Sequence, residues 1–523
     1  MKNFYSILLA FLISYTSLQA QSNLSLTYGS TQDTLLGQKG LIDAQGNTLL
    51  CSKILKTTGI GLGDKPLLAL FDNNQVFKWG FFLDQNYNTA SYVIEANNHD
   101  YIACWSTGIS SILLRVNPQG SILWYKNFSN LHSLEGLGED NSGNIYICGN
   151  NLNNMVVAKL DGSGNILWSK KYNANSQYFF GRGIEFDNEQ NVVIMGAASY
   201  NTGSSTPNRM TLLKIKPDGQ KIWSYVYGSA TKSILSTGLA KSSKRERYLM
   251  VGYSGHPSNV DLLNCISVLI DSNGQYINNT ELSYQYWDQY YAVASLPNGE
   301  FAITGLCKPT QVCGGNAIFV KVNEDNDTLV TKCYGESSGK GALFNDIKYS
   351  PLLGICAFGA GSLYKYWNNG SEAQCLQLDN QLQTSCHEYN QSLSKTSLPM
   401  SIVDTLSEQS FTLTSTSNYS KVNLVLQAAN ACTQVPLSQQ TFLSDLDLKI
   451  FPNPAHENIQ IQTSSGIFGK ATLYDLQTRV LAENEIYPSH IHHMDISKLP
   501  TGIYILQVNH ADGRQYTRKI LKD

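Results

Sequence analysis

Residues 155–172 read MVVAKLDGSGNILWSKKY. Val156, Ala158 and Leu160 alternate with neighbours, Asp161 to Asn165 supply a Gly- and Asx-rich break, and Trp168 stands in a second run. Alternation on both sides of such a break is the pattern of a β-hairpin. Nearly the same text stands at 112–128, ILLRVNPQGSILWYKNF, and at 210–227, MTLLKIKPDGQKIWSYVY. Each is preceded by another hairpin, clearest at 136–149, GLGEDNSGNIYICG, whose turn is Asp140 to Asn144. Two hairpins in series make four antiparallel strands.

The first hairpin recurs at 40–54, 92–105, 136–149, 183–196, 238–252, 292–305 and 346–359. The second recurs at 66–84, 112–128, 155–172, 210–228, 266–282, 317–335 and 372–390. Some copies are worn: 346–359 lacks its Asp-Gly turn, and 266–282 has Asn279 near the place of Trp. One four-stranded sheet cannot bury both faces, whereas sheets stacked face to face and closed into a ring can. The expected fold is all-β: a seven-bladed β-propeller followed by a small Ig-like β-sandwich. Trp79, Trp124, Trp168 and Trp223 recur at one place in the unit, which argues for packing between blades over a sugar-stacking platform. Residues 23–29, NLSLTYG, read like SYVYG at 224–228 and TKCYG at 331–335, so an N-terminal strand is expected to enter the last blade. Two further alternating runs, SFTLTS and VNLVLQ within 400–428, are expected to complete that blade or form an eighth.

The chain has 523 residues, 42% hydrophobic and 15% charged, with 41 Gly, 30 Tyr and a net charge of −3. Such apolar content supports a large core. No basic block is present, which argues against nucleic acid as a partner. Residues 1–20 combine Lys2, the apolar run Ile7 to Ile13 and Ala20, and read as an export signal too short to span a bilayer. No later stretch reaches a spanning length, so no transmembrane segment is expected in the mature chain. The domain expectation is a signal peptide at 1–20, the propeller at 21–432, a polar linker at 433–447 and a sandwich at 448–523. Eleven Cys leave at least one unpaired; Cys307 with Cys313, and Cys375 with Cys386, have spacings that suit disulfides.

The tail carries Pro452-Asn453-Pro454, then Leu473-Tyr474-Asp475-Leu476 and Arg479. Leu499-Pro500-x-Gly502-Ile503-Tyr504 and the terminal Lys519-Ile520-Leu521-Lys522 follow. These residues resemble the C-terminal sorting domain of type IX secretion substrates of Bacteroidetes, with Thr478 where that family usually has Gly. The resemblance implies contact with the type IX machinery and passage across the outer membrane. Removal of the tail with release, or surface attachment, would follow. The repeats, with K-x-D-x-x-G-x-x-x-W runs, resemble propeller repeats of bacterial exported proteins and are similar to quinoprotein-like propellers. That implies a fold and no particular activity.

Candidate chemistry is sparse. His490, His492 and His493 could hold a transition metal, but alternation on a strand of the tail explains them as well. Cys51, Cys104 and Cys148 share one place in the unit with Met195, Val251 and Thr304, compact residues that suit a crowded core. The Asx-rich turns do not match a Ca²⁺-binding loop. No catalytic, metal or cofactor residue is therefore assigned, and no cofactor is expected. The functional expectation is a secreted or surface-attached, non-enzymatic binding module for an extracellular glycan or protein. Loops 197–209, 254–264 and 307–316 are its candidate contacts. The alternatives are a polysaccharide hydrolase or lyase, which needs convergent carboxylates at the channel, and a structural cell-coat protein.

Overall fold

A computed structural model describes residues 25–523 apart from 30–33, 57–62, 85–88, 174–177, 201–206, 257–261, 285–286, 309–315, 336–341, 362–371, 385–387, 390–393, 425, 431–434, 437–447, 464–468, 476–479, 487–490 and 511–514. The chain divides into two compact units, residues 1–434 and 435–523. Among the described residues no helix is long and apolar enough to cross a membrane.

The first unit is a seven-bladed β-propeller. Blades 1 to 6 run Thr34–Leu83, Thr89–Phe128, Ser133–Asn173, Tyr178–Gly228, Ser233–Ser283 and Gln289–Tyr334, each with four antiparallel strands in chain order. Blade 7 takes three strands from Ala342–Leu378 and its fourth from Ser25–Gly29, which pairs Leu26 with Cys375 and Tyr28 with Ala373. The expected N-terminal closing strand is thus present. Tyr28 is fully buried, 4.6 Å from Phe71 of blade 1 between ring centroids, and its hydroxyl donates to Gln75 Oε1 at 2.9 Å. The hairpin expected at 372–390 keeps its turn, Asp379 to Gln383, but does not supply the fourth strand: the edge of Glu372–Leu378 is paired by the N-terminal strand instead.

The repeat motif has a local physical cause. Turns such as Asp140–Asn144, Asp161–Asn165 and Asp187–Asn191 close with the first backbone N–H donating to the fifth carbonyl, while the Asp Oδ1 accepts from two backbone N–H groups. This is the Asx chemistry that makes Asp and Asn good turn residues. The basic residue two positions before the second turn reaches the acid of the first within the same blade. Arg115 Nε lies 2.8 Å from Asp100 and Lys214 Nζ 2.7 Å from Asp187, both pairs largely buried; Lys321 Nζ lies 3.1 Å from Glu300. Burial opposes the charge of Asp187, but Lys214 and Asn191 outweigh it and hold its carboxyl below the ordinary range.

The described residues within 388–430 form neither an eighth blade nor a simple completion of the last one. They run backwards around the circumference as a belt. Glu388–Tyr389 pairs with blade 6, Ser394–Thr396 with blade 5, Ser401–Asp404 with blade 4 and Ser407–Ser410 with blade 3. Thr416 bridges Asn127 of blade 2, Lys421–Asn423 pairs with blade 1, and Gln427–Asn430 pairs with the N-terminal strand in blade 7. All these pairings are antiparallel. Leu398, Leu406, Leu413 and Leu426 of the belt are at most 5% exposed, while most of their neighbours face solvent. Fully burying such a side chain stabilises by roughly 2 kcal/mol.

The second unit holds two small sheets. One orders Leu448–Phe451, Asn458–Thr463 and Ile491–Asp495; the other orders Val480–Ile486, Gly469–Tyr474, Gly502–His510 and Gln515–Lys522. Ile459, Ile461, Leu473, Met494, Leu506 and Ile520 build its core.

Candidate functional site

The first strand of every blade lines a central channel with a cavity of about 320 Å³. Each of these strands carries a bulge near its start, at the same level in blades 3, 4 and 5: between Leu134 and Gly136, Gly181 and Gly183, and Ser236 and Gly238. A bulge re-aims the side chain it releases. Glu135, Arg182 and Thr237 occupy those released positions in blades 3, 4 and 5. Glycine on the second strand makes the crossing possible: a Cβ on Gly149 would lie 1.8 Å from the Ser133 carbonyl oxygen.

The channel's charges are largely committed to one another. Lys39 Nζ of blade 1 donates to the Asn345 carbonyl of blade 7 at 2.7 Å, stands 3.8 Å from Asp346, and lies over the Tyr92 ring at 4.9 Å. Burial lowers its affinity for a proton and Asp346 opposes that shift. Tyr92 donates its hydroxyl proton to the Arg182 carbonyl at 3.1 Å, joining blade 2 to blade 4. Arg182 in turn donates to the Ser236 carbonyl of blade 5 and stands 3.2 Å from Glu135 of blade 3. Glu185 is less committed. It sits half-buried on the channel wall, and burial raises its carboxyl to about 7 despite the cations Lys348 and Lys241 and a backbone donor at Lys241.

The two faces of the disc differ. One carries the short turns within each hairpin, such as Asp43–Asn47, Asn117–Ser121 and Asn323–Asp327. The other carries the connections from second to third strands and from blade to blade. Blades 2 and 3 cross there tightly, at 107–110 and 152–153, whereas the crossings of blades 4, 5 and 6 are long. The candidate contact loops 197–209, 254–264 and 307–316 belong to this face, and their central parts, 201–206, 257–261 and 309–315, lie outside the described residues.

The recurring tryptophans stand between blades. Trp79 Nε1 donates to the Pro118 carbonyl at 2.9 Å, Trp124 to Gly162 at 3.0 Å and Trp168 to Pro217 at 3.2 Å, each in a turn of the following blade. Trp223 lies beside Gly274 in the equivalent turn of blade 5. Space under these rings is scarce: Gly120, in the left-handed region at φ 84°, would place a Cβ 2.8 Å from the Trp79 ring. In blade 5 the register puts Asn278 at the Trp position, one residue before Asn279, and its amide donates to the Asp325 carbonyl of blade 6.

Cys51, Cys104 and Cys148 are fully buried beside the carbonyls of Tyr92, Leu134 and Gly183 in successive blades. Burial raises the thiols of Cys104 and Cys148. Cys313 and Cys386 lie outside the described residues; Cys307 Sγ stands 3.5 Å from Cys333 Sγ. In the second unit, His492 and His493 follow one another on a strand, opposite Ile461 and Gln460, and His490 lies outside the described residues.

Two of the tail's motif segments, distant in sequence, come together. Asn453 Oδ1 accepts from the Leu521 backbone N–H at 2.8 Å, and Ala455 N–H donates to the Leu521 carbonyl at 2.8 Å. Tyr504 donates its hydroxyl proton to the Pro500 carbonyl at 2.6 Å, and Leu499 packs on the core. Ile503 and Lys522 belong to neighbouring strands, with Gly502 opposite Lys522. Tyr474 and Asp475 stand at one strand end, while Leu476 and Arg479 lie outside the described residues.

The belt contacts were not read from the sequence. The residue after the Trp position clips the belt in three blades: Asn279 Oδ1 accepts from Leu398 N–H at 2.8 Å, Ser224 Oγ from Leu406 N–H at 3.0 Å, and Ser169 Oγ from Leu413 N–H at 3.1 Å. The spacing of those leucines, eight and then seven residues, is the signal that could have revealed the belt.

Residues 449–523 match the family described as the secretion system C-terminal sorting domain. No curated protein matches the chain. Among solved structures, the β-propeller domain of the Trilobed protease from Pyrococcus furiosus is similar at 8% identity and TM-score 0.41, covering 68% of this chain and 96% of that one. Drosophila Plexin A in complex with Semaphorin 1b gives 8% identity, TM-score 0.35 and coverage of 68% and 87%. The extracellular domain of a putative hybrid two-component system from B. thetaiotaomicron gives 10% identity, TM-score 0.18 and coverage of 96% and 99%. The chain is a β-propeller with a type IX sorting domain, a Bacteroidetes-type exported protein. That domain implies contact with the type IX secretion machinery and a place outside the cell or on its surface.

Proposed function

We propose that this exported propeller is a non-enzymatic binding module that engages an extracellular glycan or protein through the face bearing its long crossings. The inequality of the two faces carries the reading. One face is fixed by short Asx turns whose polar groups are bonded internally, and the other bears segments of variable length over blades 4 to 6. Binding residues concentrate on such loops when a rigid scaffold presents them. The channel's paired charges brace the ring and favour this reading over catalysis. The test is a glycan-array and pull-down screen with the full mature chain, repeated on a variant lacking residues 199–208. Loss of retention with an unchanged melting curve is expected; retention equal to wild type would remove that crossing from the site.

A second reading rests on Glu185. A carboxyl raised to about 7 in a channel has the affinity expected of a general acid, and would suit a polysaccharide hydrolase or lyase. Polysaccharide cleavage that Glu185→Gln abolishes would favour it. Absence of cleavage by the wild type across the arrayed glycans would discard it.

A further inference from the structure

We propose that the outer edge of the disc is a strand-binding track that accepts the belt of a second copy of this chain, so that copies link by exchanging belts. The track repeats from blade to blade. In blades 5, 4 and 3 it consists of the edge of the outermost strand, which the chain's own belt occupies, a polar clip (Asn279, Ser224 or Ser169) and a socket that buries one leucine. Its ligand is an extended segment rich in Ser and Thr with leucines seven or eight residues apart, and Leu398, Leu406 and Leu413 give the belt that pattern.

The belt is held in small steps. Ser394–Thr396, Ser407–Ser410 and Lys421–Asn423 are wholly exposed strands of three or four residues. Short solvent-exposed pairings of this kind open locally at low free energy. A belt from another copy would remake the same pairings, clips and sockets, so exchange conserves contacts and is governed by concentration. The belt is also the segment of this chain that carries the matching pattern, which is why the partner is a second copy.

Lys171 of blade 3 and Gln409 of the belt are register partners on adjacent antiparallel strands. Such partners lie about 4.5–5.5 Å apart between Cα atoms, within disulfide reach. Full-length Lys171→Cys and Gln409→Cys variants would be mixed at rising concentration, oxidised and resolved without reductant. A disulfide-linked heterodimer whose yield grows with concentration is expected. The double variant Lys171→Cys/Gln409→Cys must cross-link within one chain; its failure to do so would overturn the register beneath the proposal. Intramolecular cross-linking without any heterodimer would overturn the exchange. So would an equal heterodimer yield when Asn298→Cys, in an exposed turn of blade 6, replaces Lys171→Cys.

Discussion

At the scale of single residues, the ring is held by groups that reach from one blade to the next. Trp79 combines an indole packed on Gly120 with a hydrogen bond to Pro118. Trp79→Ala should cost about 3 kcal/mol in urea unfolding, and Trp79→Phe, which keeps a ring but loses the donor, about 1 kcal/mol. Equal costs would mean that the ring contributes nothing beyond its donor. Glu185 gives a pH signature. Its folded value, about 7, lies above the 4.5 of a free glutamate, so folding disfavours its charged form. The penalty is absent below about pH 4.5, grows through neutrality and is complete above about pH 7. Glu185→Gln should therefore raise the urea midpoint at about pH 8 and leave it unchanged at about pH 4; an unchanged midpoint at both would place the carboxyl in free water. The tryptophans were legible in the sequence because one packing solution repeats. Glu185 was not, because it occupies a channel position where the other blades place residues of different chemistry.

At the scale of elements, the hairpins were legible and the belt was not. A hairpin is specified by local alternation and its own turn. The belt has no partner near it in sequence, and its strands are too short to display a period. Its leucines are its energetic content. Leu406→Ala, at a site 2% exposed between blades 3 and 4, should cost about 2–3 kcal/mol and speed amide exchange across Ser401–Ser410. Exchange unchanged there would mean that strand pairing alone holds the belt. The sorting domain offers a parallel case. Its motif segments were found as separate marks, but that Asn453 ties the Pro-Asn-Pro segment to the last strand follows only from the fold. Asn453→Ala should lower the melting temperature of the tail and leave the propeller transition in place, as seen by two-step calorimetry; a shift of both transitions would contradict a local role.

At the scale of the whole molecule, seven copies predicted a ring because equivalent sheets need equivalent neighbours. The N-terminal strand closes that ring, and deletion of residues 22–30 should collapse the propeller transition by many degrees in calorimetry. A small shift would show that the belt alone suffices. That same strand lies between Glu372–Leu378 on one side and Gln427–Asn430 on the other. The first described strand of the chain therefore waits for a segment about four hundred residues later before it has both neighbours. A chain interrupted during synthesis before residue 427 would leave this clasp open, and it would also lack the sorting domain at 449–523.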